Sequence, residues 1–426
     1  MKNSIIFILL IIFLSNICLA QSDFKKYFQD KTLRLDYYHS GNNKTDYYTF
    51  GNFKEEPFWA GPKYNLIDTL NLGNYMLKVF DAESNTLIYS HGYSVLFKEW
   101  QTTDEAKKIS RTFRESVLLP FPKDSVRIEI YSRDRKNIFQ KKYEVAVSPD
   151  NYFINKDKKN LYNKIPVHYT GDPSDKLDIV FLPEGYTKTE RDKFAKDCER
   201  FSNYIFTYSP FDKLDNRINI WAVEAFSEES GTDIPADSIW KNTLLNSSFY
   251  TFDSERYLMT TDYQKVRDIA ANAPYDQIYI LVNTNKYGGG AIYNFYSMVA
   301  AHNEKARQIF IHEFGHGLAG LADEYYTSEV AYKDFYPLDV EPWEPNITTL
   351  VNFKNKWADL VKSTTPIPTP VKDAPENQIG AYEGAGYMEK GVYRSTPNSI
   401  MKAFTSDEFN EVSKKAIERV IKFYSH

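Results

Sequence analysis

The pentapeptide His312-Glu313-Phe314-Gly315-His316 puts two imidazoles and a carboxylate in one short stretch. On a helix, positions i and i+4 share a face, so both rings can grip one metal ion. The glutamate between them lies close to the open side of such an ion and can take a proton from water. That is the chemistry of hydrolysis. The same pattern also arises by chance in unrelated helices, so its context decides. Ile309, Phe310 and Leu318 supply apolar residues at helical spacing around the two histidines. Gly315, Gly317 and Gly320 lower helix propensity and give the helix a place to stop. A stop there lets the chain turn back with a third ligand. Zinc takes nitrogen, sulfur or carboxylate oxygen and, in catalytic sites, keeps one position for water. Asp323 and Glu324 follow at once. Asp323 is the favoured third ligand and Glu324 its rival. The plainer reading gives both carboxylates outer hydrogen bonds or ion pairs.

A second signal lies downstream, in Tyr393-Arg-Ser-Thr-Pro-Asn-Ser-Ile-Met401. It is similar to the Met-turn of metzincins, which sets a methionine beneath the metal as an apolar floor. Taken alone, Met401 would be a gap-filling core residue. The upstream motif and a charged, helix-like tail from Asp407 to Phe423 favour the turn. In the metzincin pattern His-Glu-x-x-His-x-x-Gly-x-x-His the glycine and third ligand come one residue earlier than Gly320 and Asp323 do here. The Gly-x-x-ligand spacing is kept. Tyr387 or Tyr393, near the turn, is a candidate donor to the oxyanion.

Four stretches carry a resemblance to peptidase family M64, whose named example is a bacterial immunoglobulin A peptidase. They are Leu177–Thr187 with Glu190, Phe194 and Asp197; Asn219–Glu224 with Ser230–Pro235; Gly288–Tyr293; and His312–Tyr325 with Met401. The resemblance spans about residues 166 to 426. It implies a metzincin-like α/β (α+β) zinc peptidase domain. It assigns the metal to His312, His316 and Asp323 and the base to Glu313, with one catalytic zinc ion. Ser399 is a mild departure, since some relatives are expected to carry cysteine there. The resemblance leaves the substrate open.

The chain opens with Lys2, an apolar run from Ile5 to Leu14, and Ser-Asn-Ile-Cys-Leu-Ala20. This is the layout of a signal peptide cut after Ala20, and its apolar core is short for a membrane span. The protein is therefore expected outside the cytoplasm: secreted, periplasmic or at the cell surface. Lipidation on Cys18 is less favoured because Ile17 is bulky. No later stretch reads as transmembrane. Loss of Cys18 leaves Cys198 alone, with no partner for an internal disulfide. The net charge of -5 comes without a basic stripe, which argues against nucleic acid as a partner.

Residues 21–160 read as an all-β sandwich domain. Short alternating runs such as Arg34–Tyr38, Tyr75–Phe80, Thr86–Ser90, Ser125–Ser132 and Lys142–Val147 are separated by turn residues. Their aromatics are expected in the core, with docking of a glycan or protein as the alternative. Asn155–Lys164 is polar and charged and reads as a linker crossed by few contacts. Residues 161–426 then alternate strands and helices. The expected strands are Leu177–Leu182, Arg217–Ala225, Gln277–Asn283 and Ala291–Ala300, and the expected helix is Lys188–Tyr208, capped by Thr187 and Glu190. The last strand is expected at the sheet edge, where it could pair with an extended substrate. Gly288-Gly-Gly reads as a flexible rim. Glu228, Glu229 and Asp233 could hold calcium, but a solvated loop is the simpler reading.

Together these readings predict a secreted zinc endopeptidase acting on protein or peptide substrates. Two other classes compete: a non-catalytic surface protein- or glycan-binding protein that keeps a metal site, and a zinc amidase acting on cell-wall peptide.

Overall fold

The computed structural model describes residues 24–157, 161–326 and 335–426. The expected signal peptide, with Cys18, and part of the expected linker lie outside the described residues. Alternation of apolar and polar residues builds seven antiparallel strands first: β1 (Phe28–Gly41), β2 (Asp46–Glu56), β3 (Tyr75–Asp81), β4 (Leu87–Tyr93), β5 (Arg111–Pro122), β6 (Val126–Arg133) and β7 (Phe139–Val147). A helical turn α1 (Phe24–Tyr27) precedes them, and α2 (Leu96–Trp100) sits between β4 and β5. They form two sheets, ordered β2-β1-β5 and β4-β3-β6-β7. Leu33 and Leu35 of the first sheet share a core with Leu77, Val79, Ile128 and Ile130 of the second. Many tyrosines here are core residues. Tyr75 and Tyr93 stack with ring centroids 5.5 Å apart, and the hydroxyls of Tyr37 and Tyr93 share a hydrogen bond at 3.1 Å.

The rest is mixed α/β. Strands β8 (Lys164–His168), β9 (Leu177–Glu184), β10 (Ile218–Val223), β11 (Gln277–Val282), β12 (Gly289–Ile292) and β13 (Tyr296–Ala300) make one sheet, ordered β12-β13-β11-β9-β10-β8. The four inner strands are parallel, and the two edges, β12 and β8, run antiparallel. Helices α3 (Arg191–Ile205), α4 (Tyr263–Ala270), α5 (Ala306–Ala319) and α6 (Glu411–Tyr424) complete it, with a small sheet of β14 (Ile347–Thr348), β16 (Met388–Arg394) and β15 (Tyr382–Ala385). Thr187 and Glu190 form the expected capping box ahead of α3.

Side chains alternate across the large sheet with period two. Ile179, Phe181, Ile220, Tyr279 and Leu281 face α3, α5 and α6 and form one core. Val180, Leu182, Trp221, Ile278, Ile280 and Met298 face the other way. That second face joins the core of the N-terminal strands. The two regions therefore share one continuous apolar interior, against the expectation of few crossing contacts.

The stretch Ala291–Ala300 corrects a second expectation. It holds parts of two strands joined by a tight turn at Asn294, whose φ is 58°. The edge strand is β12, and Gly289 and Gly290 belong to it rather than to a flexible rim. The loop carboxylates are satisfied locally. Glu229 and Asp233 accept the backbone N–H groups of Asn242 and Lys241, and Glu228 accepts the Asn242 side-chain amide.

Candidate metal centre and active site

Helix α5 carries His312, Glu313 and His316 and ends at Gly320. Gly320 has φ of 59°, a left-handed position that glycine takes without strain. Its N–H donates to the carbonyl of His316 at 3.0 Å, and the chain reverses. Asn346 then holds the returning strand, accepting from the N–H of Ala322 at 2.7 Å and donating to its carbonyl at 2.9 Å. This brings Asp323 against the two histidines.

The three side chains form a tight triangle. His312 Nε2 and His316 Nε2 are 3.1 Å apart, and Asp323 Oδ1 lies 3.1 Å from the first and 3.3 Å from the second. Ligands about 2.0–2.1 Å from a tetrahedral ion are spaced about 3.3–3.4 Å from one another, so this triangle fits one small cation. Among the described residues it is the cluster of potential metal ligands. The outer nitrogens are anchored. His312 Nδ1 donates to the carbonyl of Ile400 at 3.1 Å and His316 Nδ1 to that of Leu321 at 2.5 Å. Both Nε2 atoms are thereby aimed at the shared centre. Asp323 Oδ2 accepts from the hydroxyl of Tyr387, and its buried Oδ1 receives no hydrogen bond. Burial opposes charge on His316, yet Asp323 and Glu313 outweigh it and push His316 up to about 9 without metal.

Glu313 stands beside the triangle. Burial, partly offset by His312 and His316, raises its carboxyl above the usual range. The edge strand packs tightly here: a Cβ on Gly289 would lie 3.1 Å from Glu313 Cγ and 2.8 Å from Ile309 Cγ2. Any larger residue at 289 would push on the Glu313 side chain.

Glu324 points away from the triangle. Fully buried, it accepts from Ser399 Oγ at 2.6 Å, Asn410 Nδ2 at 2.8 Å and Asn346 Nδ2 at 3.0 Å. Its N–H donates to the carbonyl of Met401 at 2.9 Å. Glu324 thus ties the Asp323 loop to the segment below, and Ser399 has a defined task in that tie. Met401 is fully buried, and its sulfur lies 3.0 Å from where a Cβ on Gly315 would stand. Of the two candidate tyrosines, Tyr387 is at the site, whereas Tyr393 lies on β16, paired with Glu383 of β15.

Sequence reasoning missed the other walls of the cleft. Tyr257 donates to Glu99 Oε2 at 2.6 Å, so α2 of the N-terminal strands reaches the same cleft as His312 and Glu313. Burial pushes Glu99 up to about 7. Arg256 lines the cleft, and its charge, after those of His312 and His316, lowers Glu313. Residues 256–258 also cover part of the edge strand, as Gly289 donates to the carbonyl of Arg256 and accepts from the N–H of Leu258. No isolated motif marks these residues.

An HExxH helix, a histidine–histidine–carboxylate triangle and a long open cleft define the class, that of a metal-site hydrolase on a mixed α/β fold. The chain belongs to peptidase family M64: the family described as IgA Peptidase M64 matches residues 165–377 and 372–421, more than half of its length. The family's N-terminal region, described as Peptidase M64 N-terminus, matches residues 23–144. No curated protein matches the chain. The protein is thus a peptidase of a metallopeptidase family, and protein or peptide is its substrate class. Among the described residues no helix is long and apolar enough to cross a membrane.

Exchanging the two adjacent carboxylates separates their roles. Asp323→Ala is expected to empty the site. Glu324→Ala keeps all three triangle atoms and should lower metal affinity by about 10–100-fold, as loss of an outer hydrogen-bonding partner does. Zinc titration against a competing chelator reads both. A full site in Asp323→Ala beside an empty one in Glu324→Ala would reverse the assignment.

Proposed function

We propose that the chain is a secreted zinc-dependent endopeptidase with a metzincin-like catalytic domain over residues 161–426 and a β-sandwich domain over 21–160. The observation that supports it is the triangle of His312, His316 and Asp323 with 3.1–3.3 Å edges beside Glu313. Two imidazole nitrogens and one carboxylate oxygen suit zinc. The bound ion would supply Lewis acidity, making water acidic and a carbonyl electrophilic.

The chain's own groups do the rest. Glu313 takes the proton of the attacking water and hands it to the leaving amine. Burial raises its pKa above the ordinary carboxyl value, which favours its holding that proton for delivery. Tyr387 orients Asp323 through its hydroxyl. The substrate backbone can pair with the sheet edge at Ala291. In an antiparallel pair, outward-facing residues alternate with paired ones, and Gly289 is already engaged by residues 256–258. Strand pairing is therefore short, and side-chain contacts along the cleft must add to substrate binding. Secretion rests on the layout of residues 1–20.

A diverse peptide library incubated with the mature protein tests the reading by mass spectrometry. Cuts at interior bonds are expected, abolished by a zinc chelator and restored by zinc. Release of terminal residues alone, or cleavage indifferent to chelation, would overturn it.

A further inference from the structure

One wall of the cleft is built by residues far from the catalytic motif. The β6–β7 turn Asp134-Arg135-Lys136-Asn137 and helix α2 line it together with Lys107 and Arg133. The turn needs neither of its basic side chains. Asp134 Oδ1 accepts the N–H groups of Lys136 and Ile138 at 2.8 and 3.0 Å, and Asn137 Nδ2 docks on the carbonyl of Glu341 at 3.0 Å. Arg135 and Lys136 are exposed, and among the described residues neither has a carboxylate within ion-pair distance.

Lys98 on α2 sharpens the point. It is partly buried and likewise has no ion-pair partner among the described residues. Burial pushes its ammonium below the ordinary value, Asp46 opposes this, and Lys142 and Arg135 add to the push. Asp46 is already committed to Lys142 at 3.1 Å and His39 at 3.4 Å. Arg133 is spent on carbonyls, those of Gly73 at 2.7 Å and Asn71 at 2.9 Å. Two acidic residues of the same cleft are engaged: Glu344 with Tyr336 at 3.0 Å, and Glu341 with the N–H of Asn352 at 2.8 Å. Lys107 is paired with Asp104 at 2.6 Å, whereas Lys98 and Arg135 repel each other and an added anion would relieve that repulsion. Glu99, the neighbour of Lys98 on α2, is held by Tyr257 at 2.6 Å and lines the same cleft.

We propose that Lys98, Arg135 and Lys136 form a subsite for acidic side chains of the polypeptide substrate, on one side of the scissile bond. This rests on the peptidase reading of the cleft and adds a substrate class to it. The N-terminal strands then select substrate as well as support the fold.

Peptides with one shared scissile sequence and an Asp-rich or Ser-rich flank, placed on either side, test it on the full mature protein loaded with zinc. The Asp-rich flank on one side should raise kcat/KM by about tenfold, mainly through KM. The gain should vanish near 1 M salt, where the Debye length is about 3 Å. Arg135→Glu with Lys136→Glu, both outside the turn's own bonding, should erase the preference and leave the Ser-rich peptide unchanged. Lys98→Gln should weaken it in part. Fluorescence anisotropy of the same peptides on Glu313→Ala reads the subsite without turnover. Equal binding and equal cleavage of both flanks by the unaltered wall, or a preference that survives the double variant, would overturn the proposal. If no peptide is cleaved but the anisotropy preference depends on Arg135 and Lys136, the peptidase reading fails and the acidic subsite stands.

Discussion

Glu313→Ala should keep its metal and lose turnover by a factor of about 10²–10⁴, the usual contribution of a general base. The triangle of ligand atoms does not include Glu313; its edges are His312, His316 and Asp323. The anchors of the two histidines, the carbonyls of Ile400 and Leu321, are likewise independent of it. Alanine is the strongest helix former, so α5 should persist. The Glu313 side chain is partly accessible, which limits the structural cost of removing it. Zinc content by elemental analysis and rate on a cleavable peptide are to be read on one preparation. Near-native rates in a zinc-loaded variant would remove Glu313 from the mechanism. A variant without zinc would instead place Glu313 among the groups that hold the ion.

That the residues of the candidate site come together was legible because the information is local. His312, Glu313, His316, Gly320 and Asp323 fall within one helix and one reversal, where spacing alone fixes geometry. The buried parallel strand Leu177–Glu184 was legible for a similar reason: an unbroken apolar run has few other places to go. Two N-terminal strands were harder to read. β2 contains Gly51-Asn52, which looks like a turn. In the structure the register slips there, and a Cβ on Gly51 would lie 2.6 Å from the carbonyl oxygen of Asp36, so the glycine is a bulge inside the strand. β5 ends in Leu-Pro-Phe-Pro, yet it pairs only with β1, and an edge strand tolerates proline. Spacing from Gly320 favours Asp323 over the adjacent Glu324, but it does not show what engages Glu324. Partners remote in sequence engage Glu324: Ser399, Asn346 and Asn410. Glu99 and Tyr257 were illegible for the same reason, since 158 positions separate them along the chain.

Removing the N-terminal region should abolish activity by abolishing the fold. Two large regions joined by a charged stretch look separable in sequence, but the packing says otherwise. One whole face of the six-stranded sheet, including Val180, Leu182, Ile278 and Ile280, belongs to the same apolar core as Leu33, Leu35 and Leu77. Fully burying such a side chain contributes about 1.5–3 kcal/mol, whereas a whole domain is stable by about 5–15 kcal/mol. Exposing even a few would consume that margin. Polar groups are stranded as well. Asp268 would lose Arg34 at 2.7 Å and Lys54 at 2.6 Å, and buried Tyr275 would lose Glu56 at 3.0 Å. Asn294 is the tightest knot. Its side chain donates to the carbonyl of Gly92 at 2.8 Å and accepts from Gln277 at 2.8 Å and Tyr424 at 3.1 Å, while its N–H donates to Gly317 of the active-site helix at 2.7 Å. The N-terminal strands therefore set the position of the turn against which α5 packs. A fragment starting near residue 161 is expected to be insoluble or aggregated, and dead on small peptides that the full mature chain cleaves. Adding the separately made N-terminal fragment during refolding should recover some activity, because the missing contacts are non-covalent. Size-exclusion chromatography, circular dichroism and a small-peptide assay on both preparations decide it. A monomeric, folded fragment that cleaves small peptides at the full-length rate would show that the shared core is dispensable.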